Sequence, residues 1–175
     1  MTIAIYPATF DPITYGHVDI ATRAASIFDK LVVGVYDRPL KNLLFTPEER
    51  WEMVREAMQN LPNVEVSLYH GLTAGFARQC GASVVVRGLR VLSDFEWEFQ
   101  LALTNRQIAP DIDTICLMTS QEYSFLSSSV VKEIAMHGGG VDTMAPPHVV
   151  AALKRRFETL GTDGDGKVSL VSLRD

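Results

Sequence analysis

Five short apolar runs alternate with segments of helical periodicity along most of this 175-residue chain. A short, continuous apolar run bounded by turn residues is typical of a strand that is buried on both faces of a sheet. Helical segments between such strands favour right-handed crossovers and hence parallel pairing. The alternation therefore predicts an α/β fold, with an open parallel five-stranded sheet and helices on both faces. The predicted strands are residues 2–6, 31–36, 64–69, 83–87 and 114–118.

Six segments carry helical spacing of apolar residues or helix-start signals. Their predicted bounds are residues 16–28, 47–60, 73–80, 93–109, 127–137 and 147–160. Capping boxes are predicted for Thr46 with Glu49 and for Ser93 with Glu96, because a hydroxyl followed three residues later by Glu satisfies N–H groups at a helix start. We expect residues 1–160 to form a single domain and residues 161–175 a C-terminal tail.

One of these helical segments, and the glycines that follow another, carry further signals. The helix predicted from Ser93 has apolar residues on two faces, which indicates burial on both sides, in a deep core or at a subunit interface. The run of three glycines at residues 138–140 follows a helix and not a strand. It therefore predicts a helix stop and not a phosphate-binding loop.

The composition excludes several classes of protein. The net charge is −5, whereas non-specific nucleic-acid binders usually carry a basic surplus. No apolar run approaches the ~20 residues that span a bilayer, and residues 1–6 lack the basic region of a secretory signal. Cys80 and Cys116 lie far apart without metal-ligand spacing, which favours two reduced thiols. We expect a cytoplasmic protein without nucleic-acid or membrane partners, and we predict no metal ligands in the chain.

The loops that follow the strands carry the side chains that could bind a ligand or take part in catalysis. Ligands of an open parallel sheet bind beyond the carboxyl ends of its strands. Those loops carry Thr9, His17, Lys41, Arg87, Arg90, Ser127, Ser128 and Ser129. Each of these residues alone is explained as a solvated charge or a helix cap, but together they predict a donor-rich, cationic pocket for phosphates. Neither a G-x-G-x-x-G after the first strand nor a P-loop motif is present, which disfavours both of those nucleotide sites.

Two glycines are expected to shape this pocket. Gly16, with His17, opens a helix directly after the first strand, where unpaired N–H groups and the helix dipole favour an anion. Gly16 is expected to let the backbone approach a ligand closely, and Gly88 to permit a tight turn between the two arginines.

The same residues resemble a known family. The sequence Thr-Tyr-Gly-His at residues 14–17 is similar to the T/H-x-G-H signature of the nucleotidyltransferase superfamily. Residues 6–17, 87–90, 94–98 and 123–129, the last followed by Lys132 and Glu133, together resemble bacterial phosphopantetheine adenylyltransferases. The resemblance covers about residues 1–160 in consistent order and spacing. Ala8 departs from a common glycine of the family, and Thr73 from a bulkier methionine or leucine.

The resemblance implies a Rossmann-like enzyme, a pantetheine-phosphate adenylyltransferase of coenzyme A biosynthesis. It would move AMP from ATP onto 4′-phosphopantetheine, giving dephospho-CoA and pyrophosphate, with Mg²⁺ as cofactor and as a homohexamer. The implied catalytic residues are His17, Lys41 and Thr9, of which His17 and Lys41 would stabilise the charge of an in-line transition state. The residues implied to bind the phosphopantetheine are Thr9, Lys41, Thr73 and Arg87. The residues implied to bind ATP are Thr9, Phe10, His17, Gly88, Leu89, Arg90, Glu98, Tyr123, Ser124, Phe125, Leu126, Ser127, Ser128 and Ser129.

Two other functions remain open at this point. A nucleotidyltransferase with another phosphorylated acceptor, such as nicotinamide mononucleotide or a sugar or glycerol phosphate, would share residues 14–17 and the serines. It need not share Lys41 or the block at residues 87–90. A non-catalytic nucleotide sensor would keep the pocket but could lose His17. A purely structural subunit leaves the convergence of cations unexplained.

Overall fold

The computed structural model describes residues 1–39 and 43–162 of the chain, apart from the side chain of residue 162. Within these ranges the chain forms five strands and six α-helices, with a 3₁₀ turn over Gln121–Tyr123. The strands are β1 (Ile3–Ala8), β2 (Lys30–Tyr36), β3 (Val64–Tyr69), β4 (Val84–Leu89) and β5 (Asp113–Met118). The helices are α1 (Tyr15–Ile27), α2 (Pro47–Met58), α3 (Thr73–Gln79), α4 (Leu92–Ile108), α5 (Ser128–Met136) and α6 (Pro147–Thr162).

All five strands pair in parallel, in the order β3-β2-β1-β4-β5. The predicted α/β fold with an open parallel sheet is thereby confirmed. From β1 the chain first builds outward through β2 and β3, then returns to place β4 on the other side of β1. This reversal opens a crevice between the carboxyl ends of β1 and β4, where open sheets bind their ligands.

The alternation of side chains along the central strand divides the core into two layers. Ala4 and Tyr6 of β1 face a layer that includes buried residues of α1, α2 and α6, whereas Ile5 faces a layer built largely on α3. Burial on both faces is what the continuous apolar runs of the strands predict. Because both layers anchor β1, the loop that follows it starts from a rigid platform.

Two predicted local signals are confirmed. At the start of α2, the Thr46 N–H donates to Glu49 Oε2 at 2.8 Å, and the Glu49 N–H donates to Thr46 Oγ1 at 3.2 Å. At the end of α5, Gly138 adopts a positive φ of 75° and the Gly139 N–H donates to the Ile134 carbonyl. This pattern is a Schellman stop, which favours glycine because φ is positive.

Two predictions about the stretch around α4 are wrong, and of the two explanations for its apolar faces, the deep core position is excluded. The helix begins at Leu92 after Val91, without a side-chain cap, and Asp94 and not Ser93 makes the local side-chain bonds. Gly88 lies inside β4, where a Cβ would stand 3.2 Å from Ile20 Cγ1, so the glycine serves close packing on α1 and not a turn. Within this chain the two apolar faces of α4 are not buried.

Most side chains of α4 are accessible to solvent, unlike those of a core helix. Glu98 is the one buried residue of this fully described helix, whereas Phe95, Trp97, Phe99 and Leu103 are each more than half exposed. None of the described helices is both long and apolar enough to cross a membrane. The predicted tail lies, from residue 163 onward, outside the described residues, and α6 continues two residues past the predicted domain end.

Candidate active site

The loop from Thr9 to Thr14 forms the wall of the crevice on the side of β1. Phe10 is buried and has a positive φ of 52°, so the backbone turns sharply directly after Thr9. Asp11 is also buried, and its carboxylate accepts the N–H groups of Leu44 and Phe45, each at 3.0 Å. The loop is therefore tied to the segment that enters α2.

A buried ion pair ties the same loop to α5. Lys132 Nζ lies 2.6 Å from Asp11 Oδ2, and both side chains are nearly inaccessible to solvent. Ser128, at the start of α5, donates its hydroxyl to the Pro12 carbonyl at 2.8 Å. The start of α5 is thus fixed against the loop, and its N-terminal N–H groups lie beside the crevice.

His17 stands at the start of α1 with its ring orientation determined by the helix cap. The backbone N–H of Thr14 donates to His17 Nδ1 at 3.0 Å, and the Thr14 hydroxyl lies 2.9 Å from the same nitrogen. Phe10 contacts the ring edge-on, with centroids 5.1 Å apart. Because a backbone N–H only donates, Nδ1 must accept, and the neutral ring then carries its proton on Nε2. The cap thus sets Nε2 as a hydrogen-bond donor.

Arg87 is held by a carboxylate from α4. Its Nε and Nη2 donate to the two oxygens of Glu98 at 2.7 and 2.6 Å, and Nη1 donates to the Pro7 carbonyl at 2.8 Å. Burial lowers the pKa of Arg87, but the hydrogen bonds and charge of Glu98 outweigh that effect and raise it. Arg87 therefore links β4 to the end of β1 as a paired cation.

Arg90, three residues after Arg87, is also held by a carboxylate of α4. Its Nε and Nη2 donate to the carboxylate of Asp94 at 3.0 and 3.2 Å, and its Nη1 donates to the Leu126 carbonyl at 3.0 Å. The predicted pair of arginines at the end of β4 is present, with each positive charge already matched by a carboxylate. Sequence reasoning foresaw the cations but not these partners.

The loop after β5 closes the crevice from the opposite side. Ser120 donates through its N–H and hydroxyl to the carboxylate of Asp19 on α1, at 3.0 and 2.8 Å. Ser127 caps α5 by accepting the Val130 N–H at 3.1 Å. A Cβ on Gly16 would lie 3.6 Å from Thr14 Oγ1 and 3.7 Å from Tyr123, so packing within the protein does not require glycine there, and the close approach to a ligand expected of Gly16 stays a prediction.

The predicted acceptor side is only partly described. Thr73 begins α3, and its Oγ1 lies 3.4 Å from the hydroxyl of Tyr69 at the end of β3. Tyr69 stacks on Phe76 with centroids 4.3 Å apart, and burial raises the pKa of its hydroxyl. Lys41 lies outside the described residues. Its predicted role therefore remains a prediction.

Two residues of the site were missed by sequence reasoning. Arg50 of α2 is fully buried and donates to the carbonyls of Thr9 and Tyr36 at 2.6 and 2.7 Å. Lys132 was noted only as part of a similar block, and its pairing with Asp11 across 121 positions left no local signal. The position of Arg50 four residues after the cap Thr46 resembles any solvated helix position, and so it gave no signal either.

Three described carboxylates near the crevice are already engaged by the protein. Asp11, Asp94 and Glu98 each accept hydrogen bonds from the protein itself. Among the described residues, no group of three or more histidine, cysteine, aspartate or glutamate side chains is arranged to hold a metal ion. What the crevice offers is donors: the His17 ring, two arginines, and the N-termini of α1 and α5.

An open parallel sheet with hydrogen-bond donors at its switch point defines an α/β protein suited to bind a phosphate-bearing ligand. The family model described as cytidylyltransferase-like matches residues 5–134. Two similar relatives are phosphopantetheine adenylyltransferases. The one from Herpetosiphon aurantiacus is 52% identical, covering 91% of this chain and 96% of the relative, and the one from a Roseiflexus species is 54% identical, covering 90% and 98%. The chain therefore belongs to the cytidylyltransferase-like family and, within it, to the phosphopantetheine adenylyltransferases.

A solved structure agrees on the fold. It is a protein from Vibrio parahaemolyticus provisionally assigned as a nicotinate-nucleotide adenylyltransferase. It superposes with a TM-score of 0.67, covers 90% of this chain and 95% of its own, and is 20% identical in sequence. At that identity the likeness concerns the fold alone.

Proposed function

We propose that this protein transfers the adenylyl group of ATP to 4′-phosphopantetheine, forming dephospho-CoA and releasing pyrophosphate. The observation that carries the proposal is the similarity of about nine tenths of the chain to phosphopantetheine adenylyltransferases at about half identity. Its length means that it extends well beyond residues 14–17 and spans the stretch of residues 87–90. The geometry of the crevice supports the chemistry of this reaction.

Positioning and charge stabilisation account for the proposed catalysis. The acceptor phosphate is itself a nucleophile at neutral pH, so the reaction needs no general base, and the paired carboxylates of the crevice are not required to provide one. An oxygen of that phosphate attacks the α-phosphorus in line with the departing pyrophosphate, and negative charge develops on the α-phosphate oxygens and the leaving group. His17 Nε2–H donates to this charge, because the Thr14 cap holds Nδ1 as an acceptor.

The arginines contribute to substrate binding through their remaining donors. Among the described residues, Arg87 and Arg90 each engage three of the five N–H groups of a guanidinium, which leaves two on each for a phosphate. We assign Arg87 to the phosphopantetheine, together with Thr9, Lys41 and Thr73. We assign Arg90 to ATP, together with the loop over residues 123–129.

Magnesium enters this proposal as a ligand of the ATP phosphates. Asp11, Asp94 and Glu98 are occupied by arginine, lysine and backbone N–H groups, and the described residues hold no group of three or more candidate ligands, so they do not fit a metal cage. Mg²⁺ commonly binds mainly to substrate phosphates and water. We also propose a cytoplasmic homohexamer. The apolar residues that α4 exposes support an assembly through that helix.

The test is a turnover assay with ATP and 4′-phosphopantetheine, following both pyrophosphate and the mass of dephospho-CoA. Nicotinate mononucleotide and glycerol 3-phosphate serve as matched acceptors. We expect product with 4′-phosphopantetheine alone, loss of turnover with a chelator, and its return with Mg²⁺. Titration of Mg²⁺ into the nucleotide-free protein should give no binding heat. If product forms with one of the other acceptors and not with 4′-phosphopantetheine, the assignment is refuted. Turnover without Mg²⁺ would refute the proposed metal dependence.

A further inference from the structure

Arg50 is a buried charge that the proposed chemistry does not use. Its side chain is fully inaccessible, although it lies on α2, outside the strand-end loops. Its guanidinium donates to four backbone carbonyls. They belong to Thr9 at 2.6 Å, Tyr36 at 2.7 Å, Phe45 at 3.3 Å and Asp37 at 3.4 Å. One side chain thus joins the loop after β1, the end of β2 and the entry to α2.

The charge of Arg50 is balanced differently from the other cations of the crevice. Arg87 and Arg90 each have a carboxylate within 3.0 Å, whereas no described carboxylate forms an ion pair with Arg50. Burial lowers the pKa of Arg50, opposed by the more distant charges of Asp11, Asp37 and Glu48. The guanidinium nevertheless stays protonated at neutral pH. The oriented carbonyls of the loops take the place of water around it.

The backbone conformation of these loops therefore depends on the planar set of donors that the Arg50 guanidinium provides. Four carbonyls from three segments must converge on one planar donor set, and moving any of them would leave a buried charge poorly solvated. Lysine offers three donors at a single point and cannot reproduce the planar fork. The carbonyl that Arg50 holds most closely belongs to Thr9, next to the residue whose positive φ turns the loop.

We propose that Arg50 is a positioning residue for adenylyl transfer, which holds the Thr9 loop and the end of β2 in the arrangement that aligns the acceptor phosphate. The inference rests on the proposed function for its link to turnover, whereas the ordering of the loop is independent of it. Arg50 does not touch the substrates and acts through the backbone of Thr9. Because a displacement of about 1 Å can cost 10²-fold in rate, loss of this brace lowers turnover more than it lowers stability.

The test compares Arg50→Lys with Trp51→Phe, the neighbouring position on the same helix. Trp51 donates its indole N–H to the Val66 carbonyl at 3.1 Å, on β3 and away from the loop. Both variants lose a bond between α2 and the sheet, but only Arg50→Lys changes the Thr9 loop. We expect kcat to fall about 10²-fold in Arg50→Lys and to stay near the parent value in Trp51→Phe, with ATP affinity similar in both folded proteins.

Amide hydrogen exchange provides a readout that does not depend on activity. In Arg50→Lys, exchange should accelerate over residues 7–14, and in Trp51→Phe over β3 instead. If the parent does not use 4′-phosphopantetheine, the proposed function fails while the exchange still decides the role of Arg50. If Arg50→Lys does not fold, Arg50→Gln replaces it, because a neutral amide costs less to bury. A folded variant with parental kcat and parental exchange over residues 7–14 would overturn the proposal.

Discussion

At the scale of single residues, the proposed function gives His17 two tasks, one for each ring nitrogen. Nδ1 accepts the Thr14 N–H and completes the start of α1, and the neutral ring then carries its proton on Nε2, the proposed donor to the transition state. The tasks can be separated, because asparagine places an amide oxygen near the position of Nδ1 and has no atom at Nε2. A structural role and a catalytic role of His17 therefore predict different outcomes for the same substitution.

We expect His17→Asn to unfold like the parent while kcat falls by about 10²–10³-fold, the usual loss for one preorganised donor. His17→Ala should lose as much turnover and about 1 kcal/mol of stability as well, because the Thr14 N–H loses its cap. Steady-state kinetics and urea unfolding of the two variants provide the comparison. Near-normal turnover in His17→Asn would show that Nε2 does not stabilise the transition state.

The residue scale also shows where sequence reasoning stops. The location of His17, Arg87 and Arg90 at strand ends follows from periodicity and from the rule for open sheets, and the structure places them there. The electrostatic state of the arginines does not follow, because nothing in the pattern indicated that Glu98 accepts two bonds from Arg87; the predicted role of Glu98 in ATP binding stays a prediction. A pattern shows which loops meet, but the charge balance depends on side-chain directions that only the packed structure defines.

At the scale of elements, α5 and the loop after β1 are joined by a buried ion pair. Lys132→Met should lower the free energy of unfolding by about 3–5 kcal/mol, because the carboxylate of Asp11 would stay buried with only two backbone donors. Lys30→Met is the matched control. Lys30 lies 2.8 Å from Glu65, but both side chains are accessible, so its loss should cost about 1 kcal/mol or less.

Urea unfolding measures both variants. The double variant Asp11→Asn with Lys132→Met should recover part of the loss, because the uncompensated charge is gone. Equal effects of Lys132→Met and Lys30→Met would mean that the pair does not brace the two elements. The sequence could not predict this brace, since 121 positions separate its partners, whereas the capping box of α2 spans three and was predicted correctly.

At the scale of the whole molecule, α4 connects the site with the outer surface. Its inward face presents Asp94 and Glu98 to the two arginines at the end of β4. Its outward faces leave Trp97 60% and Phe99 53% exposed. A soluble protein rarely leaves so many large apolar side chains on one helix in water. The double apolar pattern predicted burial in a deep core or at a subunit interface; the exposed side chains exclude the first within this chain, and the second stays a prediction.

We expect the parent protein to sediment as the proposed hexamer and Trp97→Glu to sediment as smaller species, because a buried carboxylate would face an apolar partner surface. Ile27→Glu is the control: Ile27 is 59% exposed, as much as Trp97, but it ends α1, far along the chain from α4. Sedimentation velocity at several micromolar concentrations distinguishes the species. A parent that sediments as a monomer, or a control that dissociates as fully as Trp97→Glu, would remove the basis for an assembly through α4.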